Sequence, residues 1–97
     1  MALLVLAEIE AARGDGRAAT EAARSAVETF TAYGDRRNAA RALLALARAE
    51  LQAGEPDAAV VTLTRTMGEF AGIGDEQGRA EAERLAQEAR RRPDQHI

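Results

Sequence analysis

The sequence predicts an all-α fold, a solenoid of about five helices arranged as helix–turn–helix repeats. Three observations carry that prediction. Sliding the 97-residue chain forty positions along itself matches 15 of 57 residues, where composition alone gives about seven. Ala supplies 24 residues, while only two are Pro and three (Phe30, Tyr33 and Phe70) are aromatic, a balance that favours closely packed helices. Glycine beside an acidic residue punctuates the chain at Gly14-Asp15, Gly34-Asp35, Gly54-Glu55 and Gly74-Asp75, each a helix break. A fixed period of this size marks units that bury their apolar faces only against their neighbours.

The first helix is expected over about Ala2 to Ala12, stopping at Gly14-Asp15-Gly16. The second, roughly Arg17 to Ala32, places Ala19, Ala22, Ala23, Ala26, Val27 and Phe30 on one face at i, i+3, i+4, i+7 spacing. Thr20, Glu21, Arg24, Ser25 and Glu28 are expected to face water. Gly34 ends this helix and Asp35 caps the third, about Arg36 to Gln52. That helix is apolar on two faces, through Ala40, Leu43, Leu44, Ala47 and Leu51 and through Ala42, Leu46 and Ala49. A helix so widely apolar is expected to be sandwiched between others.

Pro56 stands where the fourth helix restarts after Gly54-Glu55. The fourth runs to about Gly72 with a stripe of Ala59, Val60, Leu63, Met67 and Phe70. The fifth, Glu76 to Arg91, is apolar only at Ala82, Leu85, Ala86 and Ala89, and Arg90, Arg91 and Arg92 complement its dipole. Pro93 stops it. A polar last helix lets a repeat array end in water. The expected domain spans about 1–92, with repeats at 1–34 and 35–74, a capping helix at 75–92 and a disordered tail at 93–97.

All 13 basic residues are Arg, which points to a GC-rich bacterial genome. A net charge of −3 argues against direct nucleic-acid or anionic-membrane binding. The chain has no cysteine, so disulfides, thiolate metal sites and cysteine nucleophiles are excluded, in keeping with a cytoplasmic protein. Met1 to Ala7 is apolar but short, and Glu8 and Glu10 interrupt it, so neither a signal peptide nor a membrane span is expected.

No catalytic constellation emerges. The single histidine, His96, lies beyond Pro93 with no second member for a triad or metal site. Glu8, Glu50, Glu81, Glu83 and Glu88 alternate with Arg and read as solvated i, i+4 partners. Gly14-Asp15-Gly16 is too short for a phosphate loop and follows a helix where that motif follows a strand. No catalytic, cofactor or metal residue is assigned, and no enzymatic activity is expected.

Leu43-x-x-Leu46-Ala47, followed by Gly54-Glu55 and Ala58-Ala59, resembles the tetratricopeptide repeat. Ala7 and Ala47 match that family's small residue on the first helix, Ala19 and Ala59 its small residue on the second, and Gly14 and Gly54 its turn glycine. The forty-residue period exceeds the family's usual thirty-four. Tyr33-Gly34-Asp35 and Ile73-Gly74-Asp75 replace its proline, and Glu10 and Glu50 replace its common tyrosine. This longer form resembles arrays in large bacterial regulators and signalling ATPases.

The resemblance implies a right-handed solenoid whose first helices line a concave groove for a peptide. The matching positions are Leu4, Glu8, Arg41, Leu44, Arg48, Arg84 and Glu88. Arg41 and Arg48 suit a carboxylate, because guanidinium offers fork geometry. The competing reading is a solvated stripe salt-bridged to glutamates.

Six of the 21 large apolar residues fall within the first nine positions. Leu3, Leu4 and Leu6 are therefore expected to self-associate as a homodimer, or to meet further repeats of a longer array. The function expected is a protein–protein interaction module taking a protein or peptide partner. The alternative is a sensory or oligomerisation segment of a bacterial transcription regulator or signalling ATPase.

Overall fold

The computed structural model describes residues 16–91. Four α-helices occupy them, α1 (Gly16–Ala32), α2 (Arg36–Gln52), α3 (Pro56–Gly72) and α4 (Glu76–Arg90), with no strand among the described residues. The first expected helix lies outside this range. The sequence repeats every forty residues, but the helix starts at 16, 36, 56 and 76 make a physical unit of twenty: one helix and one three-residue turn.

The turns share one construction. Gly34, Gly54 and Gly74 take φ of 72°, 79° and 73°, the left-handed conformation that side chains with a Cβ resist. The following amides reach back to close the helix: Asp35 to the Phe30 carbonyl, Glu55 to Glu50 and Asp75 to Phe70, each at 2.9 Å. This is a Schellman closure, and its last residue is also the N-cap of the next helix. Asp35 accepts from the Asn38 amide and Asp75 from the Gly78 amide. Glu55 makes no side-chain cap bond, and there Pro56 opens α3 instead, its fixed φ suited to a first helical turn.

Burial follows the expected faces with instructive exceptions. Ten of the 17 residues of α2 are buried, and α2 packs on α1, α3 and α4, so it is the sandwiched helix. Ala23, Ala26 and Val27 meet Ala42, Leu43, Ala45 and Leu46 between α1 and α2. Ala47 and Leu51 of α2, Ala59 and Leu63 of α3, and Ala82, Leu85, Ala86 and Ala89 of α4 form a second cluster. Ala22, Phe30, Leu44, Val60 and Met67 are only partly buried against these clusters.

Three polar residues are buried, two of them, Thr20 and Glu50, against their sequence reading. Thr20, expected in water, is buried because its hydroxyl donates to the Gly16 carbonyl at 2.6 Å. Thr66 takes a core place on α3 in the same way, donating to the Thr62 carbonyl at 2.7 Å. Glu50, read as a solvated ion-pair partner, is only 4% exposed and accepts from the Thr62 hydroxyl at 2.7 Å. In each case a hydrogen bond, local for the two threonines and between helices for Glu50, meets the need that water would otherwise meet.

The helices are unevenly spaced. α2 approaches α4, whereas α1 has no close backbone approach to α3. α4 also differs from α2 in its outward face. Ala80, Glu83, Arg84, Gln87, Arg90 and Arg91 are exposed where α2, forty residues earlier, buries all or part of Ala40, Leu43, Leu44, Ala47, Glu50 and Leu51. The same register thus presents an apolar seat on α2 and a charged surface on α4. Among the described residues no helix is long and apolar enough to cross a membrane.

Candidate binding groove

The close approach of α2 to α4 creates an open groove of about 430 Å³, lined by Arg48, Leu51, Gln52, Leu85 and Glu88. Small side chains allow that approach: Ala47 and Ala86 are fully buried in the cluster beneath it. Leu51 and Leu85 form the floor, and half-buried Leu44 packs against the same cluster one turn along α2. A recess of similar size beside α1, lined by Arg17, Thr20, Glu21, Arg24, Ala53 and Glu55, has no such leucine floor.

Charge is organised along the rim. Arg48 Nη2 lies 2.9 Å from Glu81 Oε2, linking α2 to α4. Arg84 Nη2 reaches the same oxygen at 2.6 Å, and Arg84 Nη1 lies 3.8 Å from Glu88 Oε1. Glu81 therefore sits between two guanidinium groups. The Arg84 hydrogen bond, with Arg48 behind it, holds its carboxyl below the ordinary glutamate range despite partial burial.

The structure brings together four of the residues expected on a concave face, Leu44, Arg48, Arg84 and Glu88. Arg41 is exposed at i−3 and i−7 from Leu44 and Arg48 on the same helix, with no ion pair among the described residues. Arg48 meets Glu81, whereas Arg41 stands one to two turns away on the same exposed side of α2. Leu4 and Glu8, like Leu3 and Leu6, lie outside the described residues.

Glu81 is the residue that sequence reading missed. The sequence makes it a local i, i+4 partner, as Glu83 is for Arg79 at 2.8 Å. The available signal is a charge reversal at the repeat positions: 41 and 81 hold Arg and Glu, and 8 and 48 hold Glu and Arg.

The groove has leucine at its base and ion pairs along its rim. Among the described residues no group of three or more His, Asp or Glu side chains could hold a metal. Set against protein-family models, curated proteins and solved structures, the chain matches none.

Proposed function

We propose that this chain is a non-catalytic helical-repeat module of tetratricopeptide-like, solenoid type, acting in protein–protein association. The observation that supports it is the α2–α4 groove, where two helices forty residues apart in register share a leucine floor and a charged rim. In tetratricopeptide arrays the equivalent helices line the peptide groove. Apolar side chains of a peptide bury against Leu51 and Leu85, and the rim sets orientation and selectivity. Arg41, exposed on the same helix and with no ion pair among the described residues, favours a peptide carrying a carboxylate beside its apolar residues.

The test is an NMR titration of the isotope-labelled chain with a panel of synthetic 12-residue peptides of mixed Leu and Glu content. Binding that shifts the amides of Leu44, Arg48, Leu85 and Glu88, and that Leu85→Ser abolishes, is the expected result. Peptides that bind only elsewhere, or a panel with no binder, overturn the groove reading. Light scattering across a concentration range separates a second copy of the chain from a peptide as the occupant.

A further inference from the structure

Residues 30, 50 and 70 are structurally equivalent, since each supplies the carbonyl that closes its turn. At 30 and 70 the side chain is phenylalanine, and Phe70 is among the largest fully buried side chains. At 50 the junction holds a carboxylate instead. Glu50 is 4% exposed, and among the described residues its carboxyl has one hydrogen bond, from the Thr62 hydroxyl across the junction on α3. No arginine of the described residues lies within ion-pair distance of it.

The surroundings make this carboxyl harder to ionise than an exposed one. Arg24 of α1 attracts the ionised form, Glu55 of the α2–α3 turn repels it, and α3 contributes only the Thr62 hydroxyl. Burial outweighs the hydrogen bond and Arg24 and pushes the carboxyl above its ordinary value. Glu50 also sits in the last turn of α2, where free carbonyls disfavour an anion.

We propose that Glu50 makes the α2–α3 junction a proton-sensitive hinge, tighter when its carboxyl is protonated and looser when it is ionised. The position of this junction gives the device its reach. α1 has no close approach to α3, so the α2–α3 seam is the main bond between the two helix pairs, and α4 packs across it to form the groove. A carboxyl whose folded pKa exceeds its unfolded one gives most stability below the unfolded value. Stability then declines as pH rises through the folded value.

The test combines ¹³C NMR of the Glu50 side-chain carboxyl with hydrogen-exchange protection from about pH 3.5, below the ordinary glutamate value, to pH 8. The amides to follow are Glu55, which closes the junction, and Asp35 and Asp75, which close the phenylalanine junctions. The Glu50 midpoint is expected above those of the exposed glutamates. Glu55 protection should fall with rising pH, by about tenfold for each unit of elevation, while Asp35 and Asp75 stay level. Glu50→Gln should flatten the Glu55 trend, and Thr62→Val should raise the Glu50 midpoint further. A Glu50 midpoint among the exposed glutamates, or an unchanged Glu55 trend in Glu50→Gln, overturns the hinge.

Discussion

Arg48 and Glu81, 33 residues apart in sequence, meet at 2.9 Å and tie α2 to α4 along the groove rim. Both side chains keep substantial solvent contact, so the pair aligns the helices more than it stabilises them. A double-mutant cycle with Arg48→Met and Glu81→Gln should give a coupling of about 0.2–1 kcal/mol in urea unfolding at low salt. One molar salt should abolish most of it. Coupling unaffected by salt would mean that the two side chains interact by packing.

Phe70 lies against the backbone of Gly78, where an added Cβ would overlap the ring. Gly78→Ala should cost about 1–3 kcal/mol through overpacking. In a Phe70→Leu background the penalty should shrink, because the smaller side chain leaves room. Equal penalties in the two backgrounds, measured by chemical denaturation, would rule out the ring contact as the cause.

Gly54 and Gly68 both have open space where a Cβ would stand, yet their substitutions should have opposite signs. Gly54 holds φ at 79°, so Gly54→Ala strains the turn and should destabilise by roughly 1 kcal/mol or more. Gly68 is inside α3, so Gly68→Ala should stabilise by about 0.5–1 kcal/mol. Thermal melts of the two variants decide the point, and shifts in the same direction would contradict it.

Acid should weaken the groove rim. The folded Glu81 carboxyl lies below the ordinary glutamate value of 4.5. Its stabilising contribution is complete above that value and is lost as pH falls through the folded one. Glu81→Gln should lower the urea midpoint at pH 7 and flatten its decline below about pH 4.5. A variant that declines as steeply as the parent would assign acid sensitivity to other carboxylates.

The helix boundaries were legible because a local signal writes them. Gly34, Gly54 and Gly74 need a left-handed backbone and the acidic neighbours cap, so α2 begins and ends where the sequence reading put it. The core stripe of α4 was legible too, since Ala82, Leu85, Ala86 and Ala89 are its only apolar face. Thr20, Thr66 and Glu50 were not, because polarity alone does not reveal a partner that permits burial. Thr62 becomes that partner for Glu50 only once α3 folds back on α2. The Arg48–Glu81 contact is likewise a property of helix spacing. The groove's leucine floor stood in plain view as apolar periodicity, but nothing local told that Leu51 and Leu85 share one surface.

The double duty of Asp35, Glu55 and Asp75 has a consequence for how such a chain can change length. Each residue closes one helix and opens the next, so no slack separates the rods. One inserted residue within a helix turns everything beyond it by about 100°, carrying buried alanines into water and charged residues into the seam. A joint cannot absorb that rotation without giving up a closure or a cap. Growth and loss that keep every face in place come in steps of forty residues, two rods together with their joints, because adjacent rods differ in the neighbours they meet.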